Sequence, residues 1–322
     1  MDNLTLNTAT IELLSKCNFH CRHCYLDKKS AKSLSITDWF KVFDTLYNVG
    51  VKKVVLTGGE PLMHPQFKSI YSYIHNLGLE LQVFTNGSLL DKAWIDFFKT
   101  SLPKSVSVSV YGQNQQQYEK FTGSRAGVFD SVINNIESLK REGIKTYIGI
   151  TPYQCEMNEQ WYAFIREHDI NINTYMIPSL DRQNNLGFRL TPEAIVEIET
   201  RLHQQREVTK IPITPNDSDY YRKCSGGMTS LFIDQHGYVS MCAVNRKLKF
   251  NILTVSFETI RTELINESER IKRAYFSSQC GSCKHNKGCR NCPVYSELEG
   301  NSGGENPYLC ALTSERIKVR TT

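Results

Sequence analysis

The sequence predicts an α/β protein built around a mostly parallel sheet. Short apolar runs alternate with amphipathic segments over the first two thirds of the 322 residues, which gives six strand–helix units. Glycines follow several of the amphipathic segments at the positions of helix C-caps. Six units fit either an incomplete barrel or an open doubly wound sheet, and periodicity alone does not choose between these two folds.

Each element of the six units has a local signal. The predicted strands are short, apolar runs expected to lie in a buried parallel sheet, in chain order Thr8–Leu14, Lys53–Leu56, Leu81–Phe84, Ser105–Val110, Thr146–Ile150 and Asn173–Ile177. The predicted helices have apolar residues at helical spacing, and they are Ile36–Val49, His64–Leu77, Lys92–Thr100, Val128–Glu142 and Glu159–His168. Gly50, Gly78 and Gly143 follow three of these helices.

A second, smaller domain is expected after the sixth unit. A helix from Pro192 to about residue 206 has Thr191 as its N-cap. The proline-rich passage Ile211–Asn216 predicts a boundary, so that residues 1–215 form one domain and 216–322 the other. Within the second domain, Leu231–Met241 predicts a β-hairpin that turns near Gly237.

Composition narrows the class of protein. The chain is 40% apolar and 11% aromatic, which suffices for a sizeable core. Its net charge of +5 is spread along the chain, so no nucleic-acid partner is expected. No apolar stretch has transmembrane length and no signal peptide is recognisable, which predicts a cytoplasmic protein without a membrane partner. Eleven cysteines in such a protein indicate metal ligands or redox groups rather than disulfides.

Three of the cysteines lie on one short loop after the first strand. Cys17, Cys21 and Cys24 could hold three irons of a cubane cluster and leave the fourth iron open to a substrate or cofactor. Structural zinc is the competing interpretation, with His20 or His23 as nitrogen ligands. The gaps of three and two residues are awkward for one tetrahedral zinc, so the spacing favours the open cluster.

A glycine pair and a glutamate end the second strand. In Thr57–Leu62, Gly58 and Gly59 allow the backbone to approach a ligand closely, and Glu60 presents a carboxylate. A glycine pair by itself more often marks a turn. Here the glycine pair is informative because of its position, since the ends of the first two parallel strands, one leading into the cysteine loop, meet at one edge of the sheet.

The cysteine loop followed by this strand end resembles the radical S-adenosylmethionine (SAM) superfamily. The resemblance implies a partial six-strand barrel with SAM bound beside a 4Fe-4S cluster on Cys17, Cys21 and Cys24. It also implies that the Gly58, Gly59 and Glu60 segment holds the methionine amino group. Contacts to the ribose or carboxylate are then expected from the Asn86 region and Ser109, and contacts to adenine from Tyr25 or the backbone at Ile150.

The cysteines of the last hundred residues resemble the SPASM extension of that superfamily, in which two auxiliary 4Fe-4S clusters are bound. One predicted cluster has four ligands, which are Cys280, Cys283, Cys289 and Cys310. The other has three matched ligands, Cys224, Cys242 and Cys292, and therefore an open iron or a ligand from elsewhere. The two-residue gap between Cys289 and Cys292 departs from the usual spacing of three.

One thiol is left over. Cys155 follows the fifth predicted strand. Free cysteine is among the most buried residue types, so an inert buried thiol is one interpretation. A cluster ligand or a hydrogen-atom donor at the rim of the active site is the other.

The resemblance implies reductive cleavage of SAM to a 5'-deoxyadenosyl radical, which abstracts a hydrogen from the substrate. A ribosomally made peptide, modified by crosslinking, epimerisation or oxidation, is the first expectation. The alternative is a small metabolite such as a sugar or an aminoglycoside, because no peptide-binding segment precedes the first strand. A metal scaffold without catalysis is a third possibility. A flavodoxin or ferredoxin is the expected reductant. Ala243 stands where sulfatase-maturating enzymes have an aspartate, which argues against formylglycine formation.

Overall fold

The computed structural model describes residues 5–26, 32–153, 157–173, 186–205, 224–286, 289, 291–301 and 304–321. Its core is an α/β arrangement, as the sequence predicts. The domain boundary proposed within Ile211–Asn216 lies outside the described residues, so the division at residues 215 and 216 stays a prediction.

Nine strands in the described part of the chain form one sheet. In chain order they are β1 (Thr8–Glu12), β2 (Lys53–Thr57), β3 (Glu80–Thr85), β4 (Ser105–Ser109), β5 (Thr146–Ile150), β6 (Ile170–Ile172), β7 (Ser230–Ile233), β8 (Tyr238–Ser240) and β9 (Phe250–Asn251). Their spatial order is β6-β5-β4-β3-β2-β1-β7-β8-β9. The first six strands are parallel and neighbour one another in chain order, and the sheet is not closed. This is the partial barrel that the resemblance implies.

The predicted hairpin forms, and it also extends the barrel sheet. β7 and β8 are antiparallel, with Ile233 opposite Val239. On its other edge β7 pairs in parallel with β1, where Thr10 lies opposite Phe232. The cysteine-rich part of the chain is therefore joined to the barrel through backbone hydrogen bonds along β1.

Eleven helices cover the described residues. They are α1 (Ile36–Asn48), α2 (Phe67–Asn76), α3 (Lys92–Thr100), α4 (Gln115–Thr122), α5 (Val128–Arg141), α6 (Glu159–Glu167), α7 (Pro192–Gln205), α8 (Phe257–Ser277), α9 (Gln279–Ser282), α10 (Pro293–Leu298) and α11 (Pro307–Thr321). Side-chain caps begin many of them, as the side chain of Asp91 accepts from the Trp94 N–H at 3.0 Å in α3. None of the helices described is long and apolar enough to cross a membrane.

The sixth strand differs from its prediction. It occupies Ile170–Ile172 rather than Asn173–Ile177, and residues 174–185 lie outside the described residues. α6 ends at Glu167, and Asp169 then takes a positive φ of 49°. Aspartate tolerates this left-handed conformation better than most residues, so the chain turns from helix to strand in two residues without a glycine.

The two faces of the sheet have different surroundings. Alternate residues such as Val54, Leu81 and Val106 are buried in the core beneath the helices. The opposite, inner face carries a row of residues in register across three strands, with Phe84 opposite Ser107 and Ser107 opposite Tyr147. Phe84 is 45% exposed and Tyr147 is 42% exposed. A concave face with two exposed aromatic rings is a typical ligand-binding surface.

Ion pairs join the C-terminal segment to the barrel. Arg189 forms a bidentate pair with Glu299 at 2.9 and 3.3 Å and lies over the ring of Tyr308. Arg316 of α11 likewise forms a bidentate pair with Glu199 of α7, at 2.6 and 2.9 Å. Forked pairs of this kind fix geometry as well as adding energy.

Candidate active site

The three-cysteine loop begins where β1 ends and lies against the end of β2. The Gly59 N–H donates to the carbonyl oxygen of Leu14 at 2.8 Å, and the Glu60 N–H donates to that of Lys16 at 3.0 Å. Two backbone hydrogen bonds therefore align the first residues of the loop with the strand end that carries the Gly-Gly-Glu sequence.

The glycine pair is required by this contact. A Cβ atom at Gly59 would lie 2.2 Å from the carbonyl oxygen of Lys16, and one at Gly58 would lie 2.5 Å from that of Leu14. Gly58 also has a φ of 157°. The close approach expected from the sequence is thus made to the backbone of the cysteine loop.

Helix α4 holds the other side of the loop. The His20 N–H donates to the carbonyl oxygen of Thr122 at 2.8 Å, and the Arg22 N–H donates to that of Phe121 at 3.0 Å. Orphan carbonyls at a helix C-terminus commonly find such partners. The loop is therefore clamped between a strand end and a helix end. Its three thiols are half-buried, and none of them forms a disulfide.

Asn86 lies beside the first of these thiols. Its side-chain amide donates to the side-chain oxygen of Asn18 at 2.9 Å and approaches the sulfur of Cys17 at 3.7 Å. Its side-chain oxygen accepts from both the N–H and the hydroxyl of Ser88. The Asn86 side chain thus links the loop after β3 to the cysteine loop.

Glu60 is fully buried. Its carboxylate accepts hydrogen bonds from the Thr85 hydroxyl at 2.7 Å, the Asn86 N–H at 2.7 Å and the Leu62 N–H at 3.1 Å. Burial raises its pKa to about 7, against the lowering effect of these three donors. The carboxylate lies at the ends of β2 and β3, beside the cysteine loop.

A tyrosine that sequence reasoning missed also faces this loop. Tyr118 of α4 is completely buried, and its hydroxyl has no hydrogen-bond partner among the residues described. Burial raises the pKa of Tyr118, and the Cys21 thiol makes the next largest contribution, with Cys17 and Glu60 also within electrostatic range. The sequence signals for α4 are its N-cap, Asn114, and its C-cap, Gly123. They predict a helix but do not single out Tyr118.

The residues present fit a cubane cluster. Three half-buried thiols share one loop whose backbone is anchored on both sides. A cubane places its thiolates on separate irons, whereas tetrahedral zinc draws its ligands around one point.

The remaining expected cofactor contacts lie along the same edge of the sheet. Ser109 ends β4 opposite Gly149 of β5. The side chain of Ile150 is buried in the core beneath the helices, and its carbonyl oxygen accepts from the Asn173 N–H at 2.7 Å. A Cβ added at Gly149 would meet only one atom, at 4.0 Å. The open approach to β5 is therefore over Gly149.

An aromatic group covers the far end of the cysteine loop. His23 stacks on Phe121 with ring centroids 5.0 Å apart, and Phe121 stacks on Tyr153 at 3.9 Å. The His23 Nε2 and the Tyr111 hydroxyl are 3.0 Å apart. These rings pack together beside the part of the loop that carries His23.

Tyr25 lies on the side of the loop that faces the C-terminal segment. Burial raises its pKa to about 12, and the charges of Glu12, Arg246, Cys24 and Cys242 act on it. Glu12 and Arg246 form a 2.6 Å ion pair across 234 residues of sequence, and the carboxylate of Glu12 is almost fully buried. The ion pair thus joins the end of β1 to the loop after Cys242. The pair was missed, although a charged residue ending an apolar strand is a usable signal.

Three of the C-terminal cysteines interact electrostatically with one another. The pKa of Cys292 is raised to about 12, mainly by burial, and the neighbouring thiols of Cys242 and Cys224 contribute in the same direction. Cys242 accepts a hydrogen bond from the Asn245 N–H at 3.4 Å. These three thiols therefore lie within electrostatic range of one another.

The second set surrounds Cys310. Burial raises the pKa of Cys310, followed by the thiols of Cys289, Cys280 and Cys283. Cys280 is buried, and the side-chain amide of Asn291 lies 3.6 Å from its sulfur. Cys155, the leftover thiol, lies outside the described residues.

Comparisons with known proteins agree with this arrangement. Residues 11–167 match the family model described as the Radical SAM superfamily. The chain is 27% identical over 299 residues to the antilisterial bacteriocin subtilosin biosynthesis protein AlbA of Bacillus subtilis (strain 168). The alignment covers 88% of this chain and 66% of AlbA. The chain is 24% identical over 338 residues to an AdoMet-dependent heme synthase of Methanosarcina barkeri (strain Fusaro / DSM 804), covering 92% of this chain and 94% of that protein. The chain thus spans about two thirds of the length of AlbA.

Solved structures share the fold. Streptococcus suis SuiB superposes with a TM-score of 0.72 at 18% identity, covering 95% of this chain and 77% of SuiB. Native anSMEcpe with bound AdoMet superposes with a TM-score of 0.76 at 17% identity, covering 98% of this chain and 96% of that chain.

Proposed function

We propose that this chain is a radical SAM enzyme with a SPASM extension and that it modifies a ribosomally made peptide through hydrogen-atom abstraction, a proposal supported by the Radical SAM superfamily match over residues 11–167. The single observation that carries the proposal is the clamped loop of Cys17, Cys21 and Cys24 beside the buried Glu60. The similarity to AlbA, a bacteriocin biosynthesis protein, supports a peptide substrate.

Three cysteines are proposed to hold the SAM-binding cluster. A 4Fe-4S cluster on Cys17, Cys21 and Cys24 together with SAM would supply a 5'-deoxyadenosyl radical and methionine once one electron arrives from a flavodoxin or ferredoxin. The protein's own residues fix the loop through Gly59 and Asn86 and cover it with the rings of Phe121 and His23. Such fixed, covered surroundings favour a single reaction over side reactions with water.

The predicted SAM contacts are proposed in the same place. Glu60 and the backbone of Gly58 and Gly59 would receive the methionine amino group, and Asn86 and Ser109 the ribose or carboxylate. Two further contacts, from Tyr25 and the Ile150 backbone, are proposed for adenine. The Glu60 carboxylate accepts hydrogen bonds from three protein donors, which fix its orientation.

The two C-terminal thiol sets are proposed to bind auxiliary clusters. Cys280, Cys283, Cys289 and Cys310 would ligate one 4Fe-4S cluster, and Cys224, Cys242 and Cys292 the other. The mutual electrostatic range of the thiols in each set supports this division. Clusters and free thiols persist in a reducing compartment, which favours the cytoplasm.

The inner face of the sheet is proposed to receive the substrate. Phe84 and Tyr147 are exposed there on either side of Ser107. Adjacent strands lie about 4.8 Å apart, so the two aromatic side chains leave a slot above the serine that is about one side chain wide. An extended peptide could place one residue in this slot.

Anaerobic reconstitution tests the proposal. The wild-type protein should bind about twelve irons and release 5'-deoxyadenosine from SAM under dithionite. Replacement of Cys17, Cys21 and Cys24 by alanine should abolish cleavage and leave about eight irons. The matched replacement of Cys224, Cys242 and Cys292 should remove about four irons and spare the SAM-binding cluster. Zinc in place of iron, or no cleavage by well-loaded protein with candidate substrates, would contradict the proposal.

A second candidate is a radical SAM enzyme that acts on a small metabolite. The match to an AdoMet-dependent heme synthase along 94% of that protein favours it. Deuterium distinguishes the two candidates, because the label should pass from a deuterated precursor peptide to 5'-deoxyadenosine only if the peptide is the substrate. A precursor peptide encoded beside this gene is the first to test.

A further inference from the structure

A buried hydrogen-bond network surrounds the sulfur of Cys280. Asn291 is 1% exposed and Ser296 is completely buried. The side-chain amide of Asn291 donates to the carbonyl oxygen of Gly304 and lies 3.6 Å from the Cys280 sulfur. The Ser296 hydroxyl lies 3.0 Å from the same carbonyl oxygen and 3.2 Å from the side-chain oxygen of Asn291. Several partners therefore hold the Asn291 amide in one place beside this sulfur.

The network determines which end of the amide faces the sulfur. The Gly304 carbonyl can only accept a hydrogen bond, so it requires the amide nitrogen of Asn291 on its side. The amide oxygen then faces the Ser296 hydroxyl, which can donate to it. One of the two amide N–H groups is used by Gly304, and the other has the Cys280 sulfur within hydrogen-bonding distance. Asn291 therefore acts as a donor towards Cys280.

This donor suits a thiolate better than a thiol. A neutral thiol is only a weak acceptor, and the Cys280 thiol itself donates to the Gly304 carbonyl oxygen at 3.5 Å. A thiolate that ligates iron has lost that proton and carries negative charge, which makes it the stronger acceptor. The Gly304 carbonyl then keeps Asn291 and Ser296 as donors. The network is therefore better satisfied when Cys280 is a metal ligand.

A second donor is directed at another thiol of the same predicted set. The His285 N–H lies 3.4 Å from the Cys283 sulfur. Cys280 and Cys283 lie on one helical turn, closed by a hydrogen bond from the Cys283 N–H to the Cys280 carbonyl oxygen at 3.3 Å. Two N–H donors beside two neighbouring sulfurs fit the ligands of an iron–sulfur cluster, whose potential depends on such hydrogen bonds.

We propose that Asn291 is a positioning residue whose side-chain amide donates a hydrogen bond to the iron-bound sulfur of Cys280 and raises the reduction potential of that auxiliary cluster. This rests on the proposed function, because it requires the cluster on Cys280, Cys283, Cys289 and Cys310. Reduction adds negative charge to the cluster, and an N–H group directed at a ligating sulfur stabilises the reduced state more than the oxidised state. The cluster is therefore easier to reduce with Asn291 in place.

Asn291→Leu removes both N–H groups with little change in side-chain size. In the reconstituted protein, an anaerobic redox titration followed by electron paramagnetic resonance should give this cluster a more negative potential than in the wild type. The cluster is identified as the redox transition that joint replacement of Cys280 and Cys283 by alanine abolishes. The potentials of the other two clusters should stay unchanged.

Asn286→Leu is the matched control. Asn286 lies in the same segment, and its side-chain amide donates to the carbonyl oxygen of Gly281 at 3.2 Å, next to Cys280 in the chain. Both variants lose an amide that holds a backbone carbonyl, so both should lower the unfolding temperature of the metal-free protein. The potential should fall in Asn291→Leu and stay at the wild-type value in Asn286→Leu.

Two results would overturn the inference. One is a wild-type potential in Asn291→Leu that still carries about four irons at this site. The other is an equal shift in Asn286→Leu, which would reflect a general disturbance of the segment. Should Asn291→Leu not assemble the cluster, Asn291→Asp takes its place, because an ionised aspartate keeps the size of the side chain but has no hydrogen to donate. A wild-type potential in Asn291→Asp would equally overturn the inference.

Failure of the proposed function gives a different result. It would show in the wild type as about eight irons instead of about twelve, or as unchanged iron content when Cys280 and Cys283 are replaced. Failure of the inference alone leaves the iron content intact and changes only the outcome of the redox titration.

Discussion

Replacing Gly59 by alanine should separate the cysteine loop from the strand end that aligns it. The new Cβ would lie 2.2 Å from the carbonyl oxygen of Lys16 and 2.6 Å from that of Ser15, whereas ordinary contact begins at 3.4 Å. The backbones must therefore move apart by about 1 Å. Both obstructing atoms belong to the main chain, so no side-chain rotation relieves the clash.

The cost follows from what that movement breaks. The hydrogen bonds from the Gly59 and Glu60 N–H groups to the loop contribute about 1 kcal/mol each, and overpacking adds about 1–3 kcal/mol. The free energy of unfolding should fall by about 3–5 kcal/mol, a large part of the 5–15 kcal/mol that is typical of a folded protein. Iron binding at the first site should fall with it, because the loop is no longer pre-aligned.

Urea unfolding of the metal-free protein and iron content after reconstitution measure the two effects. Gly187→Ala is the control, because an added Cβ there meets nothing within 4 Å and its φ is not in the left-handed region. That variant should change stability by less than about 1 kcal/mol. Wild-type stability and twelve irons in Gly59→Ala would refute the clamp as the function of the glycine pair.

Further predictions concern buried charges and iron. Because the pKa of Glu60 is about 7 when folded and 4.5 when exposed, the folded metal-free protein binds this proton more tightly. Stability should fall by about 3 kcal/mol as pH rises from 4.5 to 7, and Glu60→Gln should flatten that slope in urea titrations. Arg246→Gln should cost about 3–5 kcal/mol by leaving the Glu12 carboxylate buried without its partner, and adding Glu12→Gln should recover much of the loss; an unchanged double variant would contradict this. Anaerobic removal of iron should lower the unfolding temperature, since ligand binding stabilises only the folded state; calorimetry that finds equal temperatures would argue against metal sites coupled to folding.

Most of the barrel was predictable because its signals are local. Helices such as Lys92–Thr100 have an N-cap and an apolar stripe within their own residues, and β5 coincides with the predicted Thr146–Ile150. β6 was misplaced because Asp169 makes a turn for which glycine is the usual signal. The pairing of β7 with β1 was also missed, since strand partners so distant in sequence leave no trace in local periodicity.

In the candidate site, too, local signals were predictable and contacts between distant residues were not. Cysteine spacing predicted which thiols share a cluster, and this grouping stays a prediction, supported by the electrostatic interactions among the thiols of each C-terminal set. Tyr118 and Arg246 were missed because each contacts residues that are distant in sequence. Tyr118 lies near the cysteine loop, and Arg246 pairs with Glu12. A tyrosine within a helix or an arginine after a cysteine is common and carries no such signal by itself.

The position of β7 beside β1 has a consequence for synthesis on the ribosome. β1 ends at Glu12 and β7 begins at Ser230. At elongation rates of about 5–20 residues per second, one edge of β1 waits about 10–45 s for its second neighbour. An uncovered strand edge can pair with other chains. The nascent barrel is therefore exposed to misassembly until the cysteine-rich segment emerges, and translation speed should influence the yield of correctly folded protein.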